Sequence, residues 1–357
     1  MMQKRALITK RGKPSSARSQ DSFEPSHALV IEQLKELCSS SSHGVALVCS
    51  PSLEGVVAAV GLIYLAHVST SELRLVRSDA YQGRLGETCM TGLDPAKEST
   101  VTLAQRVLTG FERQQGREAI RRIVLACASD NPDMPDIVYR FMKDGFSRKD
   151  RLIEHFVDDT THALNALARQ VATECEHMRQ FVRFSRMSDN SFMAIFKPHA
   201  NVLPLASGYF VRRLGNERFF IVDPIHGIVA FHAPEVKNFG IMKPDKSNLD
   251  ILISRKDLAA DEPYVRALWK EFYRGVELPG RDASQRGYDL RAHWMPKRFW
   301  EGLTELSCQD LPRDAKVPLR YQGRPRKACL ILKWSCRTNE KLKTKNGTGN
   351  IRCRCNA

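Results

Sequence analysis

Six apolar side chains constrain this chain more than any other feature. Leu164, Leu167, Val171, Cys175, Met178 and Val182 recur at helical spacing, and at about 100° per residue they form one stripe. A stripe of that length demands a long helix with one buried face. Arg169, Glu176, Arg179, Arg183 and Arg186 fall on roughly the opposite side. Glu174, His177, Phe181 and Phe184 run along a border where the apolar face meets the wet one. Acid, imidazole, guanidinium and aromatic groups are thus gathered on rigid backbone, which suits clamping and stacking a nucleotide. The same pattern also suits a surface helix with a solvated charged face.

The rest of the chain predicts an α+β domain, with α/β as the variant. A helix is expected over 28–38 and a buried strand over Val45–Cys49. A buried helix over Glu54–His67 and a strand over Glu72–Arg77 complete a β-α-β start. The turn Cys49–Gly55 lacks a glycine-rich phosphate fingerprint, and Ser52 reads as a helix N-cap. Residues 97–187 read as mostly helical, with breaks at Gly116, at Asp130–Asp133 and near Gly145. Phe192–Phe196 is apolar on both faces, as a central strand is. A helix over Asn201–Leu214 follows. Arg218–Val222 and Ile228–His232 flank Asp223-Pro224-Ile225-His226-Gly227, a hairpin turn with proline early and glycine late. Helices are expected over 262–275 and 298–306.

Charge separates the body from its ends. The formal net charge is +15, yet residues 1–21 carry +5, residues 311–357 carry +11 and the body between them carries −1. Residues 1–27 are therefore expected to form a flexible basic arm, 28–306 the domain proper and 307–357 a basic tail with too little apolar content to order itself. Basic tails bind polyanions through counterion release without reading sequence. The most apolar stretch, Val56–Val68, spans 13 residues, short of the ~20 that cross a bilayer. Ten cysteines are scattered without a secreted-scaffold pattern. A cytoplasmic protein with no membrane contact is expected.

Four constellations carry possible chemistry. Glu174 and His177 stand three apart and meet on a helix face, where a carboxylate fixes an imidazole's tautomer as general acid–base catalysis requires. Lys197-Pro198-His199-Ala200-Asn201 follows a buried strand, the place where α/β proteins keep their sites; it also reads as a turn with an asparagine cap. Arg212 and Arg213 accompany the Asp223–Gly227 hairpin. Lys297 and Arg298 lie among Trp294, Phe299 and Trp300, basic groups interleaved with aromatics as in phosphate contact with base stacking. Trp300 alone reads better as a core residue. Cys329, Cys336, Cys353 and Cys355 are spaced C-x6-C-x16-C-x-C, which is not a zinc spacing. The chain lacks the CxxxCxxC of an iron–sulfur cluster, a P-loop and a nucleophile elbow. No metal or cofactor is expected.

Three blocks resemble a known family: His177-Met178-Arg179 with Phe181-Val182-Arg183-Phe184, then Leu268-Trp269-Lys270-Glu271-Phe272-Tyr273, then Met295-Pro296-Lys297-Arg298-Phe299-Trp300. They are similar to those of a bacterial family of DNA repair or DNA metabolism proteins built on a domain of unknown function. Its members are encoded beside a radical-SAM protein related to spore photoproduct lyase, and some are fused to a uracil-DNA glycosylase. The resemblance covers roughly 44–306. It implies a DNA-binding partner of that radical-SAM protein, with Arg179, Arg183, His199, Asn201, Arg213, Asp223, Lys297, Arg298 and Trp300 as nucleic-acid contacts, to which the arginine face of the helix adds Arg186. His226 stands where the family has a basic residue, often arginine, and Gly280–Arg291 is longer than the family's equivalent. A nucleotide or base hydrolase using His177 with Glu174, and a protein-interaction module without nucleic-acid contact, are the alternatives.

Overall fold

The structure is a computed structural model that describes residues 25–41, 43–68, 73–148, 150–154, 158–255, 257–275 and 295–304. Residues 1–24 of the expected arm, the tail with its five cysteines, Trp294 and the 280–291 segment lie outside the described residues, while Pro25–His27, read as part of the arm, begin α1. The described chain is α+β, and it divides into two compact units. The first comprises the chain up to Cys127 and Asn131–Asn165, and the second Ala128–Asp130 and the chain from Ala166.

In the first unit, α1 (Pro25–Ser40) precedes β1 (Val45–Cys49), α2 (Leu53–Ala66), β2 (Leu73–Arg77) and β3 (Thr88–Thr91). The three strands are parallel in the order β2-β1-β3, so the β-α-β start is present. Every residue of β1 is buried, and ten of the fourteen residues of α2 are buried, which is why the run reads as apolar all round. Ser52 caps α2 by accepting a hydrogen bond from the Gly55 N–H at 3.0 Å. Then come α3 (Glu98–Gln115), α4 (Arg117–Ala126) and α5 (Met134–Ser147). Gly116 ends α3 at φ +85°, the left-handed region that glycine enters without strain. The break expected near Gly145 is present, since α5 ends at Ser147. A Cβ at Gly145 would lie 2.5 Å from the Phe111 ring, so the glycine lets an aromatic side chain of α3 pack on the α5 backbone. Gln115 is buried and satisfies main-chain groups that would otherwise be orphaned. Its amide donates to the carbonyls of Gly145 at 2.8 Å and Asp150 at 3.1 Å and accepts from the Leu152 N–H at 2.8 Å.

Helix α6 (Asp159–Phe181) passes from the first unit into the second. Its five stripe residues and Val182 just past its end are all buried, an apolar side chain contributing about 1.5–3 kcal/mol when fully enclosed. The helix stops at Phe181, earlier than the helical reading to 187. Two things end it. The Arg183 guanidinium folds back and donates to the carbonyls of Gln180 at 2.8 Å and Val182 at 3.3 Å, occupying acceptors that a continuing helix would need. Phe184 turns inward against Phe210 and Phe219. Arg183, Phe184 and Arg186 therefore leave the helix face on which sequence periodicity places them.

The second unit is built on a five-stranded sheet in the order β4-β5-β6-β7-β8, with β4 Ser185–Arg186, β5 Phe192–Ile195, β6 Phe219–Asp223, β7 Ile228–His232 and β8 Gly240–Met242. Helix α7 (Leu203–Leu214) connects β5 to β6, and these two strands are parallel. All other pairings are antiparallel. The hairpin holds its expected place, with Asp223 opposite Ile228 and Gly227 at φ +65°. Helix α8 (Lys246–Ser254) packs Leu249 against Val222 and Val229. Helix α9 (Glu262–Gly275) runs as expected. The last described element is a 3-10 helix over Lys297–Gly302 that ends at Leu303, short of the helix expected over 298–306.

Candidate functional site

Parallel strands carry their carboxyl ends at the same sheet edge, where following loops leave a crevice. β5 and β6 form such a pair in the second unit. Past β5 the chain runs through Phe196–Asn201, and past β6 it enters the 224–227 turn. A third segment joins them: Ser129 forms a β-bridge with Ala200, and the Asn201 N–H donates to the Ala128 carbonyl at 2.9 Å.

Glu174 is the node of this region. It is 5 % exposed, and three donors from three parts of the chain converge on it. His177 Nδ1 lies 3.3 Å from Oε1, the His199 N–H donates to Oε2 at 3.1 Å, and Arg298 Nη2 donates to Oε1. A carboxylate only accepts, so His177 meets it with an Nδ1–H donor, and a neutral ring held this way has Nε2 as its acceptor. The imidazole is framed by aromatic rings: Phe181 and Phe299 each lie 5.6 Å from it by centroid. Phe299 stacks on Phe196 at 4.7 Å and 12°, and the Arg298 guanidinium lies 4.4 Å over Phe299. Candidate residues from three separate motifs, Glu174 with His177, His199 and Arg298, thus meet at one carboxylate. His199 contributes its backbone rather than its exposed side chain.

A second cluster stands at the end of β6. Asp223 is fully buried. It accepts from the Ile225 and His226 N–H groups at 2.9 and 3.2 Å, and from His226 Nδ1 at 2.5 Å. His226 Nε2 reaches Asp130 at 3.1 Å. Burial alone lowers the affinity of the imidazole for its proton, but the hydrogen bonds to Asp130 and Asp223 outweigh it and push the pKa up to about 9. His226 is accordingly an imidazolium at neutral pH. The positive charge that the motif comparison leaves open at this position is carried by histidine.

The arginines divide by what they touch. Arg179 pairs with Glu176 and lies 6.0 Å over Tyr209, whose hydroxyl accepts from Arg213 at 3.3 Å. Arg213 is exposed in the last turn of α7. Arg183 caps α6 and lies 5.9 Å over Trp269. Arg186 sits on β4, bonded to Asn190 at 2.6 Å and paired with Asp261 at 3.6 Å; its backbone N–H donates to Glu262. Lys297 is exposed. Trp300 is half-buried and donates to the Met295 carbonyl at 3.0 Å, while Phe299 is the ring that enters the core. Asn201 does not cap α7, whose N-cap is Val202 without a side-chain bond. Its Oδ1 is buried without a partner.

Sequence reasoning missed Asp130 and the role of His226. The only local signal was a turn motif, because Asp130 stands 96 residues from His226. Among the described residues no group of three or more His, Cys, Asp or Glu side chains could hold a metal ion, and no helix is long and apolar enough to cross a membrane. Residues 132–305 match a family model described as a domain of unknown function, DUF4130, and all three motif blocks fall within that match. No curated protein and no solved structure matches the chain.

Proposed function

We propose that this protein acts in DNA metabolism, binding DNA and presenting a damaged or modified nucleotide to a radical-SAM repair partner related to spore photoproduct lyase. The observation that carries this reading is a pair of guanidinium–aromatic contacts, Arg179 with Tyr209 and Arg183 with Trp269. They belong to the unit that also holds Glu174 and His177. A planar guanidinium on a ring suits a ligand with alternating phosphates and flat bases. Exposed Arg213 and Lys297 add charge without a buried partner to give up. The motif resemblance supplies the partner class. The five described cysteines are free thiols, which fits a reducing, cytoplasmic setting.

A second reading has one observation in its favour. Glu174 lies 3.3 Å from His177 Nδ1, and a neutral imidazole donating there presents Nε2 as a general base requires. On that reading the protein is itself a nucleotide or base hydrolase.

One experiment addresses both. Lesion-bearing DNA is incubated with this protein, with and without the neighbouring radical-SAM protein, and its nucleosides are resolved by mass spectrometry. The first reading expects altered nucleosides only when both proteins are present. Turnover by this protein alone, lost in His177→Gln, would favour the hydrolase. No change in either mixture across a lesion panel would count against both.

A further inference from the structure

Helix α9 carries one of the three motif blocks, yet only Trp269 enters the account above, and only as the ring under Arg183. Its inward side is set by Tyr264 and Ala267, both buried. Its outward side repeats apolar residues at i, i+3, i+4 and i+7: Val265 at 36 % exposure, Leu268 at 36 %, Trp269 at 39 % and Phe272 at 61 %. Large apolar groups held in water at helical spacing mark a contact surface. Two features specify the contact. The Trp269 and Phe272 rings lie 5.6 Å apart and are inclined by 30°, an offset pair in which the more exposed Phe272 is the small aromatic plate. The Arg183 guanidinium lies 5.9 Å over Trp269, so the plate carries a cation. The neighbouring Arg266 is bonded to Glu262 at 3.1 Å and Ser185 at 2.5 Å.

We infer that Trp269, Phe272 and Arg183 form a stacking platform for unpaired bases of a single DNA strand. This deepens the DNA-binding reading and rests on it. A π-face accepts any base, and the adjacent guanidinium meets the phosphate between two stacked bases. Duplex DNA keeps its base faces inside the stack and cannot use such a plate. A protein partner would be served as well by aliphatic bulk, whereas here the most exposed member is a ring paired with a second ring beside a positive charge. The platform is distinct from the Glu174 node and would hold the strand flanking the nucleotide presented there.

The test uses the full chain, a fluorescently labelled oligothymidine and its duplex with oligodeoxyadenosine. Binding is measured at raised salt, where contacts from the basic segments are screened. Phe272 is the safe position to change, since its exposure makes misfolding a poor explanation of any effect. Phe272→Leu keeps apolar bulk and removes the π-face. Both Phe272→Ala and Phe272→Leu are expected to weaken single-strand binding about tenfold, equivalent to ~1.4 kcal/mol, with duplex binding unchanged. A Phe272→Leu variant that binds the single strand as the wild type does would overturn the platform. So would variants that keep strand binding but lose self-association in sedimentation, which would assign the face to a second copy of the chain. Wild-type protein that binds duplex and single strand equally, with unaffected variants, defeats this inference alone. Wild-type protein that binds neither defeats the DNA-binding reading as well.

Discussion

His226 sits between a fully buried carboxylate and a half-exposed one, and this fixes how the end of the β6–β7 hairpin responds to pH. Its folded pKa is raised to about 9 by Asp130 and Asp223 against the opposing effect of burial, whereas an unfolded histidine titrates near 6.5. A raised folded pKa contributes stability that is fully present below about pH 6.5 and is lost as pH rises through about 9. Denaturant unfolding of the wild type and His226→Gln between about pH 6 and 10 should therefore show the variant less stable at the acid end. The gap should narrow towards the alkaline end. A gap that stays constant would mean that the imidazole is held by its shape rather than its charge. Residue identity made part of this legible, because Asp-Pro-x-His-Gly reads as a turn. The second carboxylate was not legible, because nothing in the local pattern links Asp130 to a turn 96 residues away.

At the scale of elements, buried faces were legible and element ends were less so. The α6 stripe, the buried β1 and α2 and the β6–β7 hairpin follow from periodicity and turn chemistry, which are local. The end of α6 does not. It depends on the Arg183 side chain bonding two carbonyls and on Phe184 finding Phe210 and Phe219, contacts that a helical wheel cannot register. Gly145 does stand near the end of α5, but its contact with the Phe111 ring on another helix was not legible. Arg183→Ala should remove a C-terminal cap and a guanidinium–ring contact together. Each is worth about 0.5–1 kcal/mol at partly exposed sites. The expected loss is about 1 kcal/mol, a fall of a few degrees in Tm for a unit of this size, accompanied by weaker DNA binding. Tm unchanged within error would show that the cap adds nothing, and a loss above about 3 kcal/mol would mark Arg183 as part of a buried network.

Across the whole molecule, the α+β class was readable because strands and helices differ in period. The parallel pairing of β5 with β6 was not, since strand direction is settled by where α7 packs rather than by any residue in either strand. The same holds for the candidate site. Its members were visible one motif at a time, but the bond from Arg298 to Glu174 joins residues 124 apart and exists only once the fold does. The charge of the chain lies in its two ends, whereas the account places DNA recognition in the near-neutral body. The measurement that tests this most directly is DNA binding by a chain limited to 28–306, titrated across salt. The account predicts that binding persists at low salt, that the logarithm of the affinity falls linearly with that of the salt concentration, and that Arg213→Ala reduces the slope by about one. Loss of all binding at low salt once both ends are removed would contradict it.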